Sequence, residues 1–246
     1  MKKEWFETWF DSPYYHVLYQ NHDEKEARTA LNNLLQALHP APGALILDQA
    51  CGKGRYARYL AEQGYEVTGL DLSPHSIAYA RQFEQENLTF FQHDMRRPFR
   101  SCYYDAVMNM FTSFGYFRHD REHRLVLRNV SNSLRPGGKF LLDYFNAHWV
   151  RQHLHPTGVK VVQGIEFHLT KWFDTGHVFK RIEFEAEGRH HCFQERVRLF
   201  TLDDFKELFT AAGLDIYQTY GDYRSGAYDP QNSTRLILIA EKARSA

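Results

Sequence analysis

Two aspartates and two glycines stand at a spacing that suits a nucleotide-like ligand. The segment LILDQACGKGRYARYLAEQGYEVTGLDLS, residues 45–73, contains an apolar run ending in Asp48, a loop with Gly52 and Gly54, a helical pattern, and a second apolar run ending in Asp71. In open α/β sheets, ligands bind beyond the carboxyl ends of the strands, where this loop and Asp71 both fall. The letters GKGRYA also match the dinucleotide fingerprint G-x-G-x-x-G/A, although such a match alone is a weak signal.

The carboxylate of Asp48 distinguishes between two ligand classes. A dinucleotide-binding loop cradles a pyrophosphate, and an acid at the mouth of that loop would repel it. S-adenosylmethionine (SAM) has no phosphate and presents a sulfonium and an ammonium, which an acid at this position suits directly or through water. Close backbone approach at Gly52 and Gly54 makes room for the methionine part, and Asp71 can accept both ribose hydroxyls. The residues favour SAM, and an NAD-dependent oxidoreductase is the disfavoured alternative.

Five segments, in order, resemble the motifs of class I SAM-dependent methyltransferases. They are LILDQACGKGRYARYLAEQG, with Ala50 in place of the usual glycine, VTGLDLSPHSIAYAR, FFQHDMRRPF, YDAVMNMFTSFGYF and LRPGGKFLLD. The resemblance implies that SAM is the cofactor and that Asp94 meets the adenine amino group while the backbone of Met95 meets the ring. The cofactor-binding residues that it implies are Asp48, Ala50, Gly52, Gly54, Asp71, Leu72, Asp94, Met95, Asn109 and Met110.

The elements that position these residues alternate between strand and helix. Over residues 41–158 and 200–246, short apolar runs alternate with helical patterns, which predicts a parallel sheet covered by helices on both faces. Residues 159–199 instead show period-two alternation, with turn signals at Asp174–Gly176 and Glu187–Gly188, which predicts an inserted antiparallel meander. Residues 1–40 are predicted to form a helical lid. The expected fold class is therefore α/β, a Rossmann-like, mostly parallel sheet of seven strands with this β meander added.

The methyl acceptor is expected to contact aromatic side chains, because aromatic faces hold cations and shape a pocket. Candidates for substrate contact are Tyr14, Tyr15, Tyr19, Phe111, Phe114 and Tyr116. Candidates for a catalytic group are Tyr14, His16 and His119, with His148 a further histidine near a predicted strand end. For any single one of these residues, the alternative is a place in the core or on the surface.

The acceptor is predicted to be a small molecule, either an amine or a hydroxyl compound. The segment after the fourth strand reads NMFTSF, so the Asn/Asp-Pro-Pro-Tyr/Phe tetrapeptide of exocyclic-amine nucleobase methylation is absent from the sequence. The N-terminal tyrosines and the meander loosely resemble small-molecule N-methyltransferases that act on glycine or amino sugars. Two alternatives stay open: a non-catalytic protein that binds SAM, and an RNA methyltransferase.

Composition limits the remaining partners. Lysine plus arginine and aspartate plus glutamate both total 30, so the balanced charge gives no reason to expect a nucleic acid. The sequence has no apolar stretch of bilayer length, and three sparse cysteines fit a cytoplasmic protein. His190, His191 and Cys192 lie on a predicted strand where neighbours point to opposite faces, so no metal site is expected. The meander could serve as lid or as dimer interface, which leaves a monomer or a homodimer.

Overall fold

The computed structural model of the protein describes residues 4–20 and 24–243, and these form α-helices and two β-sheets. In chain order the elements are α1 (Trp5–Trp9), α2 (Pro13–Leu18), α3 (Glu24–Leu38), β1 (Leu45–Gln49), α4 (Arg55–Glu62), β2 (Glu66–Asp71), α5 (Pro74–Ala80), β3 (Leu88–Gln92), β4 (Tyr104–Asn109), α6 (Asp120–Ser133), β5 (Leu134–Phe145), α7 (Ala147–His153), β6 (Thr157–Val162), β7 (Ile165–Phe173), β8 (His177–Ala186), β9 (Arg189–Arg198), α8 (Leu202–Ala211), β10 (Leu214–Tyr220) and β11 (Arg235–Lys242).

The larger sheet has seven strands in the order β3-β2-β1-β4-β5-β11-β10. All pairs from β3 to β5 are parallel, whereas β11 is antiparallel to both β5 and β10. The predicted Rossmann-like, mostly parallel sheet of seven strands is thus confirmed. The chain runs from β1 through β2 to β3 at one edge and then crosses to β4 on the other side of β1. The connections after β1 and β4 therefore lead in opposite directions, and a crevice forms between them.

Apolar side chains alternate between the two faces of this sheet. On one face, strand residues such as Ile46 pack with α3, α4 and α5. On the other face, the next residue, Leu47, packs with α6 and α8. Both faces of the central strands are therefore buried, as expected of a parallel sheet between helical layers.

The helices agree with the expected caps but differ in their bounds. The Ser73 hydroxyl accepts from the Ser76 N–H at the start of α5, and the Thr201 hydroxyl accepts from the Asp204 N–H at the start of α8. Helix α6 ends at Ser133, and extended pairing begins at Leu134 before the Pro-Gly-Gly turn that we expected to close the helix. Helix α7 was not predicted.

The first forty residues do not act as one unit. Helices α1 and α2 pack against the second sheet, whereas Leu31, Leu34 and Leu38 of α3 are fully buried in the core of the large sheet. Helix α3 therefore belongs to the helical layer of the large sheet, and the role of α1 and α2 as a lid stays a prediction.

The predicted meander forms the second sheet, with the order β6-β7-β8-β9. Every neighbouring pair is antiparallel, and two of the three turns fall at the positions that the sequence indicated. The turn between β6 and β7, at Gln163 and Gly164, was not predicted. Its inner face buries Phe167, Ile182 and Phe184 against Trp9 and Leu18 of the N-terminal helices. Across the described residues, none of the helices has the length and apolar character needed to span a bilayer.

Candidate active site

A cleft lies at the carboxyl ends of β1 to β4, and we call it the strand-end cleft. Its walls include Ala50 and Gly52 after β1, Asp71 and Leu72 after β2, and Asp94 and Met95 after β3, together with α1 and α2 above them. Parallel strands end at one edge of a sheet, so loops that are far apart in sequence meet there. All six of these residues were predicted to bind the cofactor, and the structure brings them together in the wall of the cleft.

Asp71 is held by backbone amides. Its Oδ2 accepts from the Gly52 N–H at 2.8 Å, and its Oδ1 accepts from the Ser73 N–H at 2.8 Å. Burial raises the pKa of this carboxyl, and the two amides oppose that shift. Each carboxylate oxygen has a further lone pair, so Asp71 can accept two hydroxyls from a ligand in the cleft.

Asp48 is the neighbouring acid, and it lies deeper. Only 2% of the residue is exposed, and its Oδ2 has no hydrogen-bond partner. Burial, with the nearby charge of Asp71 as a second cause, raises its pKa to about 7. An unpartnered buried carboxylate favours a positive ligand group nearby. Asp48 does not line the cleft and lies behind its wall.

The glycine loop uses its two glycines for different purposes. Gly52 has φ +55°, and a Cβ there would meet open space in the cleft. Gly54 has φ +76°, and a Cβ there would lie 2.5 Å from the Phe90 ring. The absence of a side chain at Gly54 therefore serves packing against Phe90, whereas at Gly52 it leaves space in the cleft, and the contact of Gly54 with the cofactor stays a prediction. Ala50 keeps the left-handed backbone that a glycine would adopt, at φ +64°.

At the far end of the cleft, Asp94 is paired with a neighbour. Both of its oxygens accept from Arg96, which also bonds Glu122 at 2.8 Å. Burial acts to raise the pKa of Asp94, but the hydrogen bonds and charge of Arg96 hold it below its usual value. Asn109 and Met110 are buried and lie outside the wall, where Asn109 Nδ2 approaches Gln49 Oε1 at 3.4 Å. Their contact with the cofactor stays a prediction.

The N-terminal helices are fastened over the strand-end cleft. The carboxylate of Asp11 accepts from the Ser73 hydroxyl at 2.6 Å and from the His75 N–H at 3.2 Å. His16 lines the same cleft, and burial together with the charge of Lys53 lowers its pKa to about 4. The imidazole of His16 is therefore neutral at physiological pH.

A second cavity of about 300 Å³ lies under the meander, and we call it the meander chamber. The two cavities are adjacent, because four aromatic residues line both of them: Phe10, Tyr15, Phe111 and Tyr116. The other walls of the chamber are Trp5, Tyr19, Thr112, Phe145, Lys171, Val178, Phe179, Lys180, Glu195 and Val197. Its lining is therefore mostly apolar with a few charged groups, as in small-molecule sites.

Of the predicted acceptor residues, Tyr15, Tyr19, Phe111 and Tyr116 line the chamber. Phe114 does not, because its ring is fully buried among α6 and α8 side chains. Tyr14 packs on Phe184 and His191, so it lies in the interface between α2 and the meander. These two placements correct the predictions for Phe114 and Tyr14.

The other predicted histidines lie away from both cavities. His119 is the N-cap residue of α6 and lines neither of them, and His148 is exposed on α7. His190 bonds Glu185 at 3.1 Å on the exposed face, whereas His191 stacks on Phe184 on the inner face. The alternation expected for these two neighbouring strand residues is confirmed.

Sequence reasoning missed a buried network that shapes the boundary between the cavities. Asp143 accepts from the Phe111 N–H, the Tyr223 hydroxyl and the Arg235 guanidinium at 2.6–2.9 Å. Phe111 and Thr112 both have positive φ, of 55° and 58°, and strain of this kind persists only where surrounding bonds enforce it. The missed signal was an acid inside the apolar run KFLLDYF.

Comparisons with known proteins agree with this geometry. A family profile described as a methyltransferase domain matches residues 46–138. A dTDP-3-amino-3,6-dideoxy-alpha-D-glucopyranose N,N-dimethyltransferase of Streptomyces fradiae is 28% identical over 190 residues, which cover 72% of each chain.

Two solved structures share the fold. The CcbJ methyltransferase of Streptomyces caelestis has a TM-score of 0.80 at 19% identity and covers 96% of this chain and 99% of its own. The SAM-bound amino pentose methyltransferase CalS10 of Micromonospora echinaspora has a TM-score of 0.71 at 21% identity, with 94% and 98% covered. Residues 46–138 thus match a methyltransferase domain, the fold is the one shared by SAM-dependent methyltransferases, and both findings support SAM as the cofactor.

Proposed function

We propose that the protein transfers a methyl group from SAM, held in the strand-end cleft, to a small amine held in the meander chamber. The observation that carries this proposal is the shared wall of Phe10, Tyr15, Phe111 and Tyr116 between the two cavities. Bound SAM supplies an electrophilic methyl group on a sulfonium. The acceptor nitrogen must reach the methyl carbon directly, in line with the bond to sulfur that breaks, so the transfer would occur where the two cavities meet; S-adenosylhomocysteine is the leaving group, and the shared lining residues support the alignment.

The cleft residues are chemically suited to SAM. Asp71 has free lone pairs for ribose hydroxyls, and Asp48 places a negative charge behind the loop where the cationic part would lie. Gly52 leaves open space for the methionine part, whereas Leu72 and Met95 give the adenine ring apolar surface. The aromatic faces of the shared wall favour a cation by cation–π attraction.

The groups facing the chamber favour an amine over a hydroxyl compound. Burial, with Glu195 nearby, raises the pKa of Tyr15 and of Tyr19, so both phenols stay protonated at neutral pH. Glu195 already accepts from Trp9 Nε1, Tyr19 and Lys180, which leaves its carboxylate poorly placed to take another proton. A neutral amine needs no base before it attacks, whereas a hydroxyl does.

The Streptomyces fradiae relative supports an amine acceptor, because it is an N,N-dimethyltransferase of an amino sugar. The three cysteines are free in the described structure, which fits the reducing cytoplasm proposed as the site of the reaction.

The test is an acceptor screen with purified protein and SAM, following release of S-adenosylhomocysteine and the mass of the product. Matched amines and alcohols with the same carbon skeleton are compared. Turnover of amines alone is the expected result. Turnover of alcohols alone would overturn the amine assignment, and binding of SAM without turnover of any acceptor would favour the non-catalytic alternative. An Asp71→Ala variant serves as the control for SAM-dependent turnover.

A further inference from the structure

Three charged side chains form a row across the inner face of the meander. Lys171 on β7 stands opposite Lys180 on β8, and Lys180 stands opposite Glu195 on β9. All three line the meander chamber, and none of them belongs to the wall shared with the strand-end cleft. The row therefore lies in the part of the chamber that only an acceptor reaches.

Glu195 is matched by one of the two lysines. Lys180 Nζ lies 3.2 Å from Glu195 Oε2, and the two side chains are 18% and 16% exposed. Glu195 Oε1 accepts from Trp9 Nε1 at 2.8 Å and from the Tyr19 hydroxyl at 2.7 Å. Lys180 also donates to the Tyr19 hydroxyl. These four groups form a closed and neutral set.

The Lys171 ammonium feels the charge of Glu195, but that carboxylate is already paired with Lys180. The side chain of Lys171 is partly buried, and it makes no ion pair with any residue in the described ranges 4–20 and 24–243. The other charged pair near the chamber, Asp143 with Arg235, is already matched at 2.6 Å. The charges around the chamber therefore leave one uncompensated positive charge.

This arrangement is unfavourable for the folded protein alone. Like charges directly opposite each other on neighbouring antiparallel strands are destabilising. Partial burial makes the repulsion stronger, because the surroundings screen it less than water does. The positions before Lys171 on the same face, Phe167 and Leu169, are apolar, so an apolar residue would suit this site better. A ligand that brings a negative charge removes the conflict.

We propose that Lys171 binds a carboxylate of the methyl acceptor, so that the acceptor is a small amine that also carries a carboxylate and whose apolar body fills the chamber. One uncompensated ammonium matches one carboxylate. A dianionic phosphate would leave a negative charge unmatched close to Glu195. The apolar walls given by Trp5, Phe145 and Val197 suit the body of such a molecule. This inference rests on the proposed function, because it assumes that the chamber is the acceptor site.

The experiment measures binding of a matched set of probes to the full chain in the presence of S-adenosylhomocysteine. The probes are 3-phenylpropionate, 3-phenylpropanamide and 2-phenylethyl phosphate, which differ mainly in charge. The variants are Lys171→Met, which keeps the length but not the charge, and Lys171→Arg, which keeps the charge. Lys206→Met, on the exposed face of α8, is the control variant. Isothermal titration gives each affinity, and a separate titration with SAM checks the cofactor site.

We expect the wild-type chain to bind the carboxylate at least about tenfold more tightly than the amide, since a charge-assisted hydrogen bond is lost in the amide. Lys171→Met should abolish this preference, and both Lys171→Arg and Lys206→Met should retain it. The melting temperature of Lys171→Met without ligand should rise, because the repulsion with Lys180 is removed. A purely structural lysine would give the opposite shift.

Three results would overturn the inference, and they separate it from the proposed function. Equal binding of carboxylate and amide would leave the chamber as the acceptor site but remove the role of Lys171. Tighter binding of the phosphate ester, or a lower melting temperature of Lys171→Met, would show that the Lys171 ammonium interacts with a group other than an acceptor carboxylate. If SAM binds normally but no probe binds, the chamber itself fails as the acceptor site, and the inference fails with it.

Discussion

At the residue scale, two neighbouring carboxylates in the cofactor region differ in how their charge is supported. Asp71 accepts two backbone N–H groups and still faces the strand-end cleft. Asp48 has one oxygen without any partner, behind the cleft wall. We therefore expect Asp71 to bind the ligand by contact and Asp48 to favour a positive charge nearby.

Replacing Asp71 tests its predicted contact with SAM. We expect Asp71→Asn to weaken SAM binding by about 10- to 100-fold, because hydrogen bonds to a charged acceptor contribute about 1.5–3 kcal/mol. Isothermal titration with SAM and with S-adenosylhomocysteine measures the loss. Asp203→Asn, on exposed α8, should leave both affinities unchanged. An unchanged affinity in Asp71→Asn would contradict the role of Asp71 in binding the cofactor.

Asp48 should make the stability of the ligand-free protein depend on pH. Its pKa rises from 3.8 to about 7 on folding, so between these values the folded state holds more protons than the unfolded state. The free energy of unfolding therefore falls as the pH rises from about 4 to about 7. Asp48→Asn should remove this part of the slope and stabilise the protein at pH 8 by up to about 4 kcal/mol.

Urea unfolding of wild type and Asp48→Asn between pH 4 and 8 measures that difference. The difference should grow through the window and then stay constant above pH 7. A constant difference at every pH would mean that Asp48 is ionised throughout. This result would contradict the raised pKa that burial is expected to give Asp48.

At the element scale, the N-terminal helices and the meander are joined at Glu195. Trp9 of α1 donates its indole N–H to Glu195 of β9 at 2.8 Å, and Trp9 is fully buried. Trp9→Phe keeps an aromatic ring there but leaves the carboxylate short of one donor. We expect a loss of about 1–3 kcal/mol in the stability of this contact. Hydrogen exchange should show faster exchange in α1 and in β9, and unchanged exchange in β1.

The control for this prediction is Trp149→Phe, on α7 and away from Glu195. Its ring stacks on His153 within the same helix, so the exchange of α1 should not change. Uniformly faster exchange throughout Trp9→Phe would indicate global destabilisation and contradict a local fastening.

Strands, caps and turns were predictable because each depends on residues close together in the chain. Period-two alternation placed the meander, and hydroxyl residues before helices placed the caps at Ser73 and Thr201. The contact between Trp9 and Glu195 joins residues 186 positions apart, and no local pattern records it. For the same reason Phe114 could not be distinguished from Phe111: both are aromatic residues after β4, and only packing decides which one faces a cavity.

The roles of single glycines and charges were also beyond the sequence. Gly52 and Gly54 are identical in type and two positions apart, yet one faces the cleft and the other faces Phe90. The balanced total charge conceals a local excess, because Arg97, Arg121, Arg124 and Arg128 line one surface depression. A composition gives the sum of the charges but not their distribution.

At the scale of the whole molecule, three distant parts of the chain enclose the reaction space. The large sheet supplies the strand-end cleft, the meander supplies the chamber, and α1 and α2 cover both. The cover is attached to the large sheet through Asp11, which bonds Ser73 and His75 at the start of α5. We expect this attachment to slow the release of SAM from the cleft.

Asp11→Ala tests whether the cover controls release of the cofactor. We expect SAM to dissociate about 5- to 30-fold faster, since the loss of these hydrogen bonds amounts to about 1–2 kcal/mol.

Burial acts to raise the pKa of Asp11, but its bonds to Ser73 and His75 hold that pKa below 3.8, so the carboxylate is ionised above that pH. The difference between the variant and wild type should therefore be constant from pH 6 to 8 and disappear only as the pH falls through the lowered pKa. Stopped-flow displacement of SAM by S-adenosylhomocysteine measures the rate, with Glu207→Ala on exposed α8 as the control. An unchanged dissociation rate would show that SAM leaves without movement of α1 and α2.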